Sequence, residues 1–278
     1  MFIFFNKAMV LRDKSSPPII LSIAGFDPSS GAGITADIKT IAAHGCYGIS
    51  CITALTVQST QGVKKVKPVE GKFVAATLKE LVSDFSITAV KIGMLGSAEA
   101  VQAIAAFLRR HSIRNVVLDP ILKSSSGADL LSKQGVKYLR ERLLPLADVI
   151  TPNIDEASAL TGIAIHQADD MEAVALQLHK LGAKNVVITG GHLDPPTDYL
   201  SWNSGKQHKI FTHKKIMTSS THGTGCAFST ALACNLAKGK SLVEATRQAK
   251  QYVTEALQHA VPIGKGTGPV NHMLKKSS

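Results

Sequence analysis

From residue 19 onward, apolar positions along this chain fall in short continuous runs that alternate with stretches of helical periodicity. Ile19–Ala24 is an apolar run of strand length, and Gly25–Gly33 after it is a glycine-rich loop. Ile34–His44 then places apolar and polar residues at helical spacing. Tyr47–Val57 is rich in β-branched residues and reads as a second strand entering a loop, Gln58–Gly62. The same patterns predict helices over Phe73–Phe85, Ala98–His111, Lys133–Leu143, Ile154–Thr161 and Asp169–Leu181. They predict strands over Ala89–Ile92, Asn115–Leu118, Asp148–Ile150 and Asn185–Ile188. Tyr199–Asn203 and Lys209–Thr212 flank Asn203-Ser-Gly205 and read as a hairpin. Helices over 226–238 and 241–259 close the chain before the glycine-rich Gly264–Val270.

Buried strands alternating with helices imply a largely parallel sheet with helices on both faces, a three-layer α/β/α arrangement. Residues 19–278 are expected to form one domain, since no internal linker divides them. Residues 1–18, ending in Ser15-Ser-Pro-Pro18, read as a poorly ordered leader, with Met9 a second candidate start. The loops 25–33, 58–62, 93–96, 119–127, 151–156 and 189–192 all leave strand ends. Open α/β sheets bind their ligands at that edge.

Composition narrows the function classes. The net charge of +11 suits a partner carrying phosphates, but lysines are dispersed and aromatics are only 5%, which argues against nucleic acid. No run approaches a membrane span. The four cysteines (46, 51, 226, 234) form no C-x-x-C pair, which points away from a zinc site or disulfide framework and towards a reducing, cytoplasmic setting. The 25–33 loop lacks the Gly-Lys-Ser/Thr ending of a P-loop and the G-x-G-x-x-G of a dinucleotide site.

Chemistry concentrates in Ser219–Cys234. His222-Gly-Thr-Gly225 runs into a helix whose N-terminus supplies unsatisfied N–H donors, the ingredients of an anion site. Cys226 is expected at its mouth, where the helix field should lower the thiol pKa. In isolation the same residues make a glycine loop with a buried cysteine.

Eight segments then carry a resemblance: Gly25-Phe-Asp-Pro-Ser-Ser-Gly-Ala-Gly-Ile-Thr-Ala-Asp37, Thr53-Ala-Leu-Thr-Val-Gln58, Lys91-Ile-Gly-Met-Leu95, Val116-Val-Leu-Asp-Pro120, Thr151-Pro-Asn-Ile-Asp-Glu156, Gly190-Gly-His192, His222-Gly-Thr-Gly-Cys226 and Gly264-Lys-Gly-Thr-Gly-Pro-Val-Asn-His272. In this order they resemble the hydroxymethylpyrimidine/phosphomethylpyrimidine kinases of thiamine synthesis, members of the ribokinase-like superfamily. The resemblance implies ATP- and Mg²⁺-dependent phosphorylation of 4-amino-5-hydroxymethyl-2-methylpyrimidine, and then of its monophosphate to the diphosphate. It implies Cys226 as catalytic base, in a position held by aspartate in the superfamily's sugar kinases. Gly223, Thr224 and Gly225 would form the anion hole, and Gly25, Asp37, Gln58 and Met94 the pyrimidine pocket. Asn153 and Glu156 would organise Mg²⁺ and its waters near the nucleotide phosphates, with Asp119 and Thr189 beside them.

Each residue also has a plainer reading. Asp37 could compensate a helix dipole, Gln58 bond a loop carbonyl, Met94 fill core, Asp119 end a strand, and Asn153 with Glu156 cap the helix at 154. His192, His222 and His272 have no ligand spacing and read as loop hydrogen-bonders. Two positions depart from the family pattern: Thr189 stands where many members have lysine, and Ser125 where the loop after Asp119 often carries one, with Lys123 displaced. Pyridoxal kinase on the same scaffold is the nearest rival, a sugar kinase a lesser one, and a non-catalytic pyrimidine sensor belongs to a different class. Small-molecule partners are expected, with a homodimer left open.

Overall fold

The computed structural model describes residues 16–124 and 127–274. Residues 1–15 of the expected leader and Ser125 lie outside the described residues. One nine-stranded sheet runs β3-β2-β1-β4-β5-β6-β7-β8-β9. Its centre is parallel: β1 (Ile19–Phe26), β2 (Tyr47–Ser59), β4 (Ala89–Ile92), β5 (Val116–Leu118), β6 (Val149–Ile150) and β7 (Val186–Gly190). Within this sheet antiparallel pairing lies towards the edges, where β3 (Gly62–Pro68) joins β2 and β8 (Thr197–Trp202) joins β7 and β9 (Gln207–Thr212).

Helices cover both faces, as the alternation implies. On one face lie α2 (Gly71–Asp84), α3 (Ala98–Arg110), α4 (Lys133–Tyr138), α5 (Ile154–Thr161) and α6 (Asp170–Lys180). Leu21, Ile23, Val90, Ile92, Val116, Leu118, Val186 and Ile188 of the strands meet them in one apolar core. The alternate residues Ile20, Ala89, Val117, Val149 and Val187 face α1 (Gly33–Ala43), α7 (Thr224–Ala237) and α8 (Leu242–Gln258). This is the period-two division expected of strands buried on both sides.

The elements depart from the sequence reading in three places. The segment read as a loop from Gln58 is still strand to Ser59, and Gly62–Pro68 returns beside it as β3. β3 carries Lys64, Lys65 and Lys67 with few apolar residues, as an edge strand does, and so gives no apolar run to detect. The helix expected over Lys133–Leu143 stops at Tyr138 and widens into a π turn, Leu139–Leu143, followed by a 3₁₀ turn containing Pro145. α7 starts at Thr224, two residues before the expected 226, and this shift changes the setting of Cys226.

Candidate active site

The loops after β1, β2, β4, β5, β6 and β7 leave the same edge of the sheet, because each follows a strand of the parallel set, and the segment before α7 meets them there. Gly223 is the N-cap of α7 at φ 81, and a Cβ there would lie 1.9 Å from the Gly31 carbonyl oxygen. Only glycine satisfies both demands, and the result is that loops 25–33 and 219–223 interlock. His272 clamps the junction from the C-terminal segment, with Nε2 3.0 Å from the Gly31 oxygen. In the first turn of α7 the Thr224 N–H turns back to the Thr221 oxygen and the Ala227 N–H pairs with the Gly223 oxygen. Gly225 and Cys226 are the first-turn residues whose N–H groups this pairing leaves for an anion. Gly225 is exposed, whereas Cys226 is buried.

That burial corrects the expectation of a lowered thiol pKa. Cys226 is the third helical residue rather than the residue at the mouth, and loss of water pushes its thiol up to about 12. The Asp37 and Asp119 carboxylates push the same way. Lys91 and the Gly33 N–H oppose them without prevailing. The resting group is a thiol.

Lys91 enters from β4 as a fully buried cation bonded to both Asp37 oxygens at 3.0 Å. Burial disfavours its charge, but Asp37, with Cys226 and Asp119 nearby, outweighs burial and holds the ammonium above its usual range. Ser22 and Thr230 complete the shell of Asp37, donating at 2.5 and 2.9 Å. The Asp37 carboxylate is therefore committed to an interior ion pair. The dipole of α1 does not account for where it lies, since Asp37 is beyond the first turn of that helix.

Asp119 follows β5 and accepts a hydrogen bond from Ser229 of α7 at 2.9 Å. Its Oδ2 also lies 4.0 Å from the place a Cβ on Gly225 would take. Burial raises it to about 6 against the pull of Lys91 and Ser229. Glu156 is raised further, to about 8, by burial and then by Asp119. Asn153 and Glu156 form a complete capping box at the start of α5, with Asn153 N–H to Glu156 Oε2 and Glu156 N–H to Asn153 Oδ1 both 2.9 Å. Their capping reading is thus a structural fact. Glu156 also accepts a backbone hydrogen bond from Leu122, and its raised pKa leaves it largely protonated near neutral pH, so a bound cation is what would favour its charge. Thr189 lies alongside, its N–H donating to the Pro152 oxygen at 2.9 Å. Two buried carboxyl groups, of which Asp119 raises Glu156, are an oxygen donor set suited to a hard divalent cation. Among the described residues no cluster of three or more His, Cys, Asp or Glu side chains forms a metal cage.

The remaining expected residues gather at the β1 and β2 ends. Met94 is buried over the Gly25 backbone, its sulfur 2.7 Å from where a Cβ on Gly25 would sit. It forms a small apolar group with Ala54 and Leu130. Gln58 is half-buried, with its amide near the Thr56 hydroxyl at 3.1 Å and His222 Nε2 at 3.3 Å. His222 Nε2 is also 2.9 Å from Asp27 Oδ2, so this nitrogen carries the proton and donates. The Gln58 amide is then better turned with its oxygen towards His222 and its NH₂ towards Thr56, whose own hydroxyl donates to the Phe26 oxygen at 3.0 Å. Burial raises Asp27, but hydrogen bonds from His222 and Ser29 outweigh it and hold the carboxyl below its usual value.

Lys91, Ser22, Thr230 and the Asp27–His222 pair had no assigned chemistry in the sequence. Lys91 did carry a signal, since a charge inside the four-residue strand Ala-Val-Lys-Ile is out of place where both faces are buried. His222 and His272 are hydrogen-bonders, as read.

The pattern of the phosphomethylpyrimidine kinase family matches residues 27–271. A hydroxymethylpyrimidine/phosphomethylpyrimidine kinase of Haemophilus influenzae is 46% identical over 258 residues, 91% of this chain and 96% of that protein. The thiamine biosynthesis bifunctional protein ThiED of Geobacter sulfurreducens is 46% identical over 255 residues, 92% of this chain but 52% of its own length, so the chain spans about half of that relative. Among solved structures, a pyridoxal kinase of Bacillus subtilis in complex with ADP superposes with TM-score 0.84 at 34% identity, covering 92% of this chain and 98% of that one. A phosphomethylpyrimidine kinase of Clostridium difficile superposes with TM-score 0.77 at 39% identity, covering 86% and 99%.

Proposed function

The chain belongs to the phosphomethylpyrimidine kinase family, and from that premise we propose how its residues divide the work. It transfers the γ-phosphoryl of ATP to the hydroxymethyl group of 4-amino-5-hydroxymethyl-2-methylpyrimidine, and then to the resulting monophosphate. The observation that carries this reading is the meeting of three parts at one sheet edge: the first turn of α7, the thiol of Cys226, and the carboxylates of Asp119 and Glu156. Phosphoryl transfer asks mainly for positioning and charge neutralisation, and these parts supply both.

The N–H groups of Gly225 and Cys226 stabilise charge on the transferring group. Cys226 accepts the alcohol proton as the bond to phosphorus forms. Burial makes its thiolate scarce at neutral pH but strongly basic, so availability of the thiolate limits this step. Gln58 offers one amide edge to the aminopyrimidine, and Met94 with Ala54 and Leu130 supplies an apolar wall next to Gly25. Asp37 serves by holding Lys91.

Glu156, with Asn153, Asp119 and Thr189 around it, would hold hydrated Mg²⁺, which neutralises the β and γ oxygens of the nucleotide when bound. Glu156→Gln tests this without removing the cap, because glutamine also completes a capping box. The Mg²⁺ concentration for half-maximal rate should rise several-fold, and an overlaid titration would return Glu156 to capping alone.

A second reading has its own support, since the pyridoxal kinase superposition is the better of the two in TM-score. Identity favours the pyrimidine. Purified protein incubated with Mg·ATP and, in turn, the pyrimidine alcohol, its monophosphate and pyridoxal decides the matter by product mass. Turnover of both pyrimidines well above pyridoxal is expected. Turnover of pyridoxal alone would overturn the proposal, and binding without turnover would support a sensor.

A further inference from the structure

Lys91 and Asp37 are both fully buried. An interior ion pair of this kind is often no more stabilising than apolar residues of the same volume. Its position argues for use. Lys91 interrupts a strand whose other residues, Ala89, Val90 and Ile92, all belong to the cores. Its ammonium ends beside Gly93, where a Cβ would come 2.7 Å from Nζ, at the sheet edge that carries the site. Asp37 is fixed in turn by Ser22 of β1 and Thr230 of α7. Thr230 is one turn beyond Cys226 on α7, so the clamp and the thiol share a helix face. The groups that act on Cys226 are Lys91 from β4, Asp37 from α1, Asp119 after β5 and the Gly33 N–H at the start of α1, and Lys91 is the cation among them.

We propose that Lys91, locked by Asp37, is a positioning residue for phosphorylation of the alcohol: its buried ammonium makes the sulfur of Cys226 able to take the proton. This rests on the reading of Cys226 as proton acceptor. In that step the hydroxymethyl oxygen bonds to the γ-phosphorus, the bond from phosphorus to the β–γ bridging oxygen breaks, and ADP leaves. The alcohol proton moves to the Cys226 thiolate, and the thiol later returns it to solvent. The second phosphorylation has no such proton to place, because its acceptor is a phosphate oxygen already ionised above a second pKa of about 6. Lys91 therefore matters to one of the two reactions and not to the other, which a purely structural role cannot produce.

The test compares both reactions in Lys91→Met/Asp37→Asn, which removes the two charges together and keeps their shapes. The kcat for the alcohol should fall on the order of 10²-fold, the scale of a lost proton acceptor. Its KM should hold, and the monophosphate reaction should stay within about threefold. Equal losses in both reactions, or no loss in either, overturn the proposal. If that variant does not fold, Thr230→Val removes one bond from Asp37 and should show the same asymmetry, several-fold and on the alcohol alone; a symmetric loss there also overturns it. Cys226→Ala, assayed beside them, separates the two failures. A normal alcohol rate in Cys226→Ala removes the proton-acceptor reading itself. A slow one there, with a normal rate in the charge-pair variant, removes the role of Lys91 only.

Discussion

The central strands show opposite characters to the two helix layers. Towards α2–α6, β1, β4 and β5 present Leu21, Ile23, Val90, Ile92, Val116 and Leu118, all apolar and buried. Towards α1 and α7, the alternate positions include Ser22 and Lys91, which meet Asp37 and Thr230. Just past β5, Asp119 meets Ser229. One face is packed for stability, where each removed methylene is felt. The other gives up part of its apolar area to hold fixed charges in a dry setting, where they act far more strongly than in water. Because side chains alternate along a strand, a single sheet can carry both without mixing them.

Variants on the two faces should therefore fail in different ways. On the apolar face, Ile104 of α3 is fully buried, and Ile104→Ala should cost about 2–5 kcal/mol of stability. The protein that remains folded should keep its kcat, as denaturant melts run alongside assays would reveal; a lost kcat in folded protein would mean the faces are not separate. On the polar face the loss should be kinetic. Cys226→Ala should lower kcat for the alcohol by about 10²-fold or more, with KM and melting temperature nearly unchanged.

The pH dependence of Cys226 has a definite sign. Burial lifts the folded thiol from its ordinary 9.0 to about 12, so folding favours the protonated form. Its contribution to stability is complete below about pH 9 and is lost as pH rises towards 12. The thiolate fraction, and with it the alcohol rate, should climb with pH across the neutral and mildly alkaline range. In Cys226→Ala that climb should disappear. A flat wild-type profile would place the proton elsewhere.

Gln58 tests whether the polar face also sets specificity at its rim. A 4-aminopyrimidine edge presents a donor beside an acceptor, which an amide can match with both its groups, as glutamine does for adenine. In the structure the amide already leans on Thr56 and His222, which fixes its plane while leaving one edge for a ligand. Gln58→Leu should reduce kcat/KM for the pyrimidine alcohol by at most about 10²-fold and for pyridoxal by much less. Equal losses on the two rings would detach Gln58 from recognition.

What was legible in the sequence follows the same division. The apolar face announces itself through runs and periodicity, so nearly every helix and central strand there lies within a few residues of its expected place. The misses are an edge strand of lysines and a helix that unwinds before Pro145, where no strong pattern exists. On the polar face, motifs marked which loops converge but not how deeply each side chain sits. The sequence points to Cys226 as a mouth residue because the early start of α7 is invisible in a run of small residues, and a shift of two residues decides whether field or desolvation prevails. The ion pair of Asp37 is not legible at all, because its partner, Lys91, lies 54 positions away in sequence. Pairings of that range arise from the sheet order, which local pattern does not encode.

The smallest effect is expected at Thr189, where this chain has a neutral residue in place of the lysine common in the resemblance that its motifs carry. Thr189 is half-exposed at the end of β7, its backbone bonded to the Pro152 oxygen and bridged to Asn153, the residue proposed to lie near the nucleotide phosphates. Thr189→Lys should add a cation there and lower the KM for ATP by a few-fold, with kcat little changed. The scale is modest because a half-exposed charge is screened, and such contacts are commonly worth about 1 kcal/mol or less. The obvious competitor for the new ammonium is Asp198, directly across the β7–β8 pair from position 189. That carboxylate is already held by Lys250 of α8 at 2.7 Å and by the Gly190 N–H at 3.1 Å. The new lysine should therefore reach for phosphate instead, and the gain should shrink as salt is raised. A KM for ATP that rises, or a few-fold gain indifferent to salt, would show that the edge of the polar face is shaped by packing at Thr189 and not by its missing charge.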